Sequence, residues 1–252
     1  MTESDSFRRV AAIYDIHGNL PALQAVLKEV EISGVEAVVV GGDVVPGPMP
    51  RECLDTLLSL SIPVRFIQGN GERDATSVHN GHVPARVPER FRADIQWSAT
   101  QLQPQHFAEI ASWPLTMTLK IAGLGQVLFC HATPRDDNEI FTRLTPSERL
   151  KPVFQGIGSD LVVCGHTHMQ FDRLLADIRV VNAGSVGMPF GAPGAYWTLL
   201  GPGVEQRQKL YDFTAANELI RATAYPRASD FDVTAFPSED DMTRLFESVA
   251  LR

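Results

Sequence analysis

The sequence predicts an α/β fold built around parallel strands, and three observations carry that expectation. From Val10 to Asn70, short β-branched runs alternate with segments of helical period, the pattern of strands paired in parallel through helical crossovers. Each apolar run ends in Asp, Asn or His, residue types that gather at the carboxyl edge of such sheets. Beyond residue 168 the pattern changes to short strands joined by tight turns, which adds an antiparallel extension or a second sheet.

Element by element, "RVAAIYD" is a short buried strand, and "NLPALQAVLKEVEISG" places Leu20, Leu23, Leu27 and Val30 on one helical face, with Gly34 as the stop. "VEAVVVGGD" is a second strand, "MPRECLDTLLSLS" a helix and "PVRFIQGN" a third strand. Residues 88–113 are mainly helical. "LTMTLKIAGLGQVLFCH" forms a hairpin across Gly123 to Gly125, "PSERLKPVFQGIG" a helix and "SDLVVCGHTH" another buried strand. The stretches "MQFDRLLADIRVVNAGSVG" and "AYWTLLGPGVEQRQKLYDF" supply the antiparallel strands. Near the end, Ser238 caps a helix whose stripe of Met242, Leu245, Phe246 and Val249 is expected to pack on the core. No linker, repeat or low-complexity tract divides the chain. The expectation is one domain over residues 1–252, with 214–252 a helical extension packed on it.

At 252 residues and 44% hydrophobic content the chain can bury a sizeable core. A net charge of -8 argues against general nucleic-acid binding, so positive charge for an anionic ligand must be supplied locally. Without a membrane-length apolar run or a leader-like block in "MTESDSFRRV", the expected compartment is the cytoplasm, with no membrane partner. Cys53, Cys130 and Cys164 form no CxxC pair and fit reduced core positions.

The strand ends hold Asp15 and His17, Asp43, Asn70, His131, and His166 with His168. Asp15 and His17, like His166 and His168, are two residues apart, which sets both side chains on one side of extended chain. Singly, each is ordinary turn or cap chemistry; together they make a mixed nitrogen and oxygen shell suited to Mn, Fe, Zn or Ni. Asn70 stands in "GNGERD", where the flanking glycines let the turn approach an ion closely.

"DIHGN", "GGDVVPGP", "GNGE", "CHATP" and "GHTH" resemble the successive motifs of the calcineurin-like metallophosphoesterases, in the bacterial phosphodiesterase branch that includes diadenosine tetraphosphate hydrolases. The resemblance runs from about Val10 to Phe213. It implies an α/β four-layer αββα sandwich, two mixed β-sheets flanked by helices, and two divalent metal ions, manganese first among Mn, Fe, Zn and Ni. By that resemblance Asp15, His17, Asp43 and His168 hold one ion. Asp43, Asn70, His131 and His166 hold the other, with Asp43 bridging, and a metal-bridging hydroxide attacks phosphorus in line.

The expected partner is a small phosphorylated substrate, a nucleotide or dinucleoside polyphosphate. Asn19, Arg73 and Arg135 are candidate phosphate contacts, set against a helix cap for Asn19 and surface ion pairs with Glu72 or Asp136 for the arginines. Trp97, Trp113 and Trp197 fit core positions better than a nucleobase platform. Many relatives place a proton-donating histidine where this sequence has Gly71, which leaves His79 and His82 in "VHNGHVP" as the nearest candidate acids. "NAGSVGMPFG" is similar to the family's Asn-Pro-Gly-Ser-Val segment, with Ala183 for Pro and Phe190 near where some relatives carry a basic residue. Two other functions use similar chemistry or the same fold: hydrolysis of a different bond, such as an amide, and a catalytically weak protein-binding scaffold.

Overall fold

The computed structural model of the protein describes residues 6–251 apart from residue 176; residues 1–5, where part of the expected absence of a leader falls, lie outside the described residues. The amino-terminal half is the alternating unit that the β-branched runs predict. Strands β1 (Ser6–Phe7) and β2 (Val10–Ile13) lead into α1 (Leu20–Ile32), then β3 (Ala37–Val40), α2 (Pro50–Leu58), β4 (Val64–Phe66) and α3 (Asn70–His79). Val10 to Ile13 pair in parallel with Ala37 to Val40, and Val38 to Val40 with Val64 to Phe66. Helix α1 buries Leu23, Val26 and Val30 against that sheet, and Gly34, at φ 65°, turns the chain away.

Helices α4 (Glu89–Gln101) and α5 (Pro104–Ile110) follow, then the hairpin of β5 (Thr116–Ile121) and β6 (Gly125–Cys130), α6 (Ser147–Phe154) and β7 (Leu161–Cys164). The antiparallel part consists of β8 (Phe171–Leu175), β9 (Ile178–Asn182), β10 (Ala195–Leu200) and β11 (Val204–Lys209). Helices α7 (Phe213–Arg221) and α8 (Glu239–Glu247) come last.

The strands divide between two mixed sheets, one in the order β1-β5-β6-β7-β9-β8 and the other β11-β10-β2-β3-β4. Alternation along the strands builds the layers. Val10, Ala12, Val39 and Leu200 of one sheet meet Val127, Phe129, Val163 and Val181 of the other. From the opposite faces, Ala11, Ile13, Val38 and Leu199 pack under α1 and α2, while Leu128, Val162 and Val180 pack under α6. Helices therefore flank two sheets, as the motifs imply. All three cysteines are buried and free. Trp113 stacks on Phe66 and Trp197 lies in the core, while Trp97 meets Tyr225 edge-on. No described helix is long and apolar enough to cross a membrane.

The carboxy-terminal segment forms a small core of its own, in which Ala216, Ile220, Tyr225, Phe231 and Val233 gather around Met49. The expected placement of the α8 stripe is corrected for Leu245 and Val249, while Met242 and Phe246 are half-buried and Phe246 meets Phe190. Ser238 does cap the helix, accepting from the Asp241 N–H, but Leu245 is 50% and Val249 37% exposed. The helix is anchored by the strip of its surface beside that stripe. Thr243 is buried, and Glu247 Oε1 accepts from Thr142 Oγ1 at 2.7 Å and from Thr145 Oγ1. Periodicity found the stripe correctly but could not say which face the rest of the chain had already claimed.

Candidate metal centre

Strands from both sheets end at one edge of the sandwich, and the seven ligand-type residues converge there. Ligand atoms of Asp15, His17 and His168 lie within 4.8 Å of one another, as do those of Asp43, His131 and His166. His131 Nε2 stands 3.1 Å from Asn70 Oδ1, 3.5 Å from Asp43 Oδ1 and 3.9 Å from Asp15 Oδ1, so the two groups are continuous.

The backbone is bent to achieve this. Among the described residues six non-glycine residues have positive φ, and five of them are Asp15 (53°), His17 (46°), Asp43 (53°), His166 (67°) and His168 (60°). That conformation is uncommon outside glycine, though Asp and His tolerate it better than most, and it persists where neighbouring structure enforces it. The enforcement is visible. The His17 N–H donates to Asp43 O at 2.9 Å and the His166 N–H to Asp15 Oδ2 at 2.8 Å. Ser185 Oγ donates to Asp15 O at 2.7 Å, and Asn182 Nδ2 to Gly165 O at 2.6 Å. Buried Glu72 accepts from the N–H groups of Asp43, Val44, Val45 and Gly69 at 2.7 to 3.2 Å, pinning the Asp43 loop to the start of α3. Its carboxyl is pushed up to about 7 by burial and the neighbouring Asp43 charge.

The donor chemistry fits cations. Nδ1 of His17, His131 and His168 contacts the carbonyl of Pro46, Gly41 and Met188 at 3.2, 2.8 and 2.7 Å. An imidazole donating at Nδ1 presents a lone pair at Nε2. His17 Nε2 and His168 Nε2 face each other at 3.1 Å; two lone pairs repel at that distance, whereas nitrogens about 2.1 Å from a shared ion, at right angles, stand about 3 Å apart. Asp15 Oδ1 is buried with no hydrogen-bond partner. The Asn70 amide oxygen also faces nitrogens, since the reversed amide would donate to His131 Nε2 and His166 Nδ1, each at 3.1 Å. An amide turns its oxygen to such nitrogens when a cation sits among them.

The cluster's electrostatics are those of a site awaiting positive charge. Burial pushes the Asp15 and Asp43 carboxyls up, but the histidines around them outweigh it and hold both below the usual carboxylate range. Burial pulls His166 down to about 4, helped by the charge on His131. It also opposes charge on His131, yet Asp43 and Asp15 lift that imidazole to about 10.

A cavity of about 320 Å³ opens onto the cluster, reaching His17, Asp43, Asn70, His166 and His168. Several residues singled out in the sequence lie outside it. Asn19 is fully buried, accepts from the Ala22 N–H at 3.2 Å and donates to Gly187 O at 2.9 Å; its place is the helix cap. Arg73 is bound to Asp137, and Arg135 to Glu139 within the same irregular loop, rather than to Glu72 or Asp136. His79 closes α3, nine positions and about 13 Å of helix beyond Asn70, and stacks on Phe107 at 3.9 Å. His82 is exposed and does not line the cavity either. The arginines that do line it are Arg86, Arg90 and Arg227, which carry no motif. Glu72 was legible as the last residue of "GNGE", three after Gly69, the spacing of a capping box. Nothing in the sequence marks Ser185 or Asn182 as supports for the ligand loops.

Paired imidazole and carboxylate clusters at the joint edge of two sheets make a candidate centre for two metal ions. A family model described as "Calcineurin-like phosphoesterase superfamily domain" matches residues 9–200. The chain belongs to that superfamily, which makes it a metal-dependent phosphoester hydrolase. It is 29% identical over 197 residues, 71% of its length and 76% of the relative's, to an uncharacterized protein of Methanocaldococcus jannaschii. Among solved structures, a hypothetical protein of Pyrococcus horikoshii matches with a TM-score of 0.74 at 18% identity, covering 96% of this chain and 97% of that one. A metallophosphoesterase of Sphaerobacter thermophilus matches with a TM-score of 0.69 at 24% identity, covering 89% and 98%. Those two likenesses establish the fold.

Proposed function

We propose that Asp15, His17, Asp43 and His168 hold one divalent ion and Asp43, Asn70, His131 and His166 a second, and that the enzyme cleaves phosphodiester or phosphoanhydride bonds whose leaving group departs without a proton. Two divalent ions bound there would activate water near neutral pH and neutralise charge building on the phosphoryl oxygens. The chain's own residues fix the directions in which this happens. His17, His131 and His168, held at Nδ1, aim Nε2 into the cluster, while the strained loops at Asp15 and Asp43 set both carboxylates before substrate arrives. Manganese suits the mixed nitrogen and oxygen shell, and three buried free cysteines suit a reducing cytoplasm.

The observation that carries the substrate reading is position 71. Gly71 lines the cavity, donates its N–H to Asp43 Oδ1 at 2.7 Å and has no side chain to give a proton. The other histidines are accounted for. Four are the proposed ligands, His79 and His82 lie outside the cavity, and His106 is buried against Asp55 at 2.9 Å. Burial pushes the Tyr225 phenol well up, with Asp94 adding to it, and Asp74 is committed to Arg86. Substrates that need no acid are nucleotide anhydrides such as dinucleoside polyphosphates, and aryl diesters in vitro; simple alkyl monoesters are poor. The test is the dependence of kcat/KM on leaving-group pKa across a diester series. A steep dependence is expected, with His79→Ala and His82→Ala within twofold of wild type. A shallow dependence with a loss of about 10²-fold or more in one of those variants overturns the proposal and identifies the acid.

A further inference from the structure

The apolar stripe of α8 is only partly covered by the fold, and it borders the candidate catalytic cavity. Met242, Leu245 and Phe246 line the same 320 Å³ space as the ligand cluster, beside the strip of the helix that buried Thr243 and anchored Glu247 fix to the rest of the chain. Aromatic rings link them to the metal end. Phe190 stacks on His168 at 5.1 Å with 14° between planes and meets Phe246 at 5.9 Å. Phe91 also lines the cavity, with the guanidinium of Arg90 at 4.7 Å and that of Arg227 at 4.9 Å from its ring centroid. Arg227 is bound to Asp94 and Arg86 to Asp74, whereas Arg90 has no carboxylate within ion-pairing distance among the described residues.

A space of this size is at the small end of ligand sites and holds a phosphoryl group with one ring system. We infer that α8 is the specificity wall of the site: the enzyme takes phosphorylated compounds whose organic part is a flat aromatic group, held by Phe246, Met242 and Leu245 facing Phe91. The phosphoryl group points to the ligand cluster and Arg90 supplies the cation for remaining negative charge. This rests on the phosphoesterase reading above and adds to it which substrates are selected and by which residues. Ring stacking of this kind changes affinity by about tenfold to a hundredfold.

The test is calorimetric, on the full chain loaded with manganese, using phenylphosphonate against methylphosphonate and adenosine 5′-phosphate against ribose 5-phosphate. Wild type is expected to favour the ring-bearing member of each pair by about tenfold or more. Phe246→Ala should remove most of that preference while metal content and methylphosphonate affinity stay within about twofold; Phe246→Leu, which keeps apolar bulk without a ring, should fall between. Should the alanine variant fail to fold, Met242→Ala is read in the same way. An unchanged preference, or equal weakening of both members of a pair, overturns the proposal. A shift in oligomeric state without a change in preference also overturns it and makes the stripe an interface between copies. If both phosphonates bind with the ring preference but no ester is turned over, the hydrolytic reading falls and the wall stands. Turnover of diesters without ring preference, or without binding of any of the four probes, removes the wall alone, and failure to bind any of the four together with no turnover removes both.

Discussion

Replacing Gly71 with alanine should cripple the enzyme through the backbone rather than through chemistry. A Cβ at this position would stand 2.0 Å from Val45 O, 2.9 Å from Asp43 Oδ1 and 3.0 Å from Pro46 Cδ, where real Cβ atoms essentially never come closer than 3.0 Å. The nearest of these atoms is main chain, so relief requires the start of α3 or the Asp43 loop to move by about 1 Å. Either movement strains the 2.7 Å bond from the Gly71 N–H to Asp43 Oδ1 and carries Asp43 or Asn70 out of line. Overpacking of this kind costs about 1–3 kcal/mol, and a displacement of about 1 Å at a catalytic constellation costs about 10²-fold in rate. Urea unfolding of Gly71→Ala should show that loss of stability, and kcat/KM for an aryl diester should fall by about 10²-fold. Gly71→His should behave alike and gain nothing on alkyl esters. Wild-type stability together with improved turnover of alkyl esters in Gly71→His would refute the steric reasoning and show that position 71 can hold a working acid.

Three other outcomes are expected. Protein purified without chelator should approach about two ions per chain by elemental analysis, and Asp43→Asn should lose at least one of them with nearly all turnover, since Asp43 stands between the two groups. The metal-free His131 imidazole, lifted to about 10 by Asp43 and Asp15 against the effect of burial, binds a proton that an ion must displace. Its folded value lies above the ordinary 6.5, so that proton stabilises the metal-free fold fully below pH 6.5 and the stabilisation is lost as pH rises toward 10. Manganese affinity, measured by competition with a chelator, should therefore climb about tenfold per pH unit between about pH 7.5 and 9, and a flat profile would count against this assignment. Asn19→Ala should cost about 1–3 kcal/mol of stability in thermal unfolding while leaving KM for a phosphodiester close to wild type.

Much of this architecture was legible because two periods run cleanly through the chain. The apolar runs ending at Ile13 and Val40 read as buried strands and are fully buried, the shorter one ending at Phe66 is a half-buried strand, and Leu23 and Val30 face that sheet. The candidate ligands were legible because strand ends are where such residues collect, whichever sheet they leave; that they leave two different sheets was not visible from spacing alone. What escaped was contact made across long separations by residues without a motif. Arg227 reaches the cavity only because the small core around Tyr225 and Phe231 folds the tail back over Met49. Arg73 and Arg135 sat beside motifs and pointed elsewhere, because Asp137 and Glu139 were nearer partners. The α8 stripe was correct as a period and correct only in part as a contact, with Met242 and Phe246 half-buried and Leu245 and Val249 exposed.

The left-handed backbone at five of the proposed ligands has a consequence for how this lineage can change. A non-glycine residue held there gives up about 1 kcal/mol or more relative to glycine, so Asp15, His17, Asp43, His166 and His168 are each a small, standing debt of the metal-free fold. Substituting glycine at His166, where φ is 67° and the side chain reaches the cavity, should leave an inert protein that is harder to unfold than its active parent. Selection for turnover and selection for robustness thus pull in opposite directions at the same codons. A descendant released from catalysis could lose its ligands one at a time, each loss making the sandwich sturdier, and arrive at a durable shell with its former active edge free for another use.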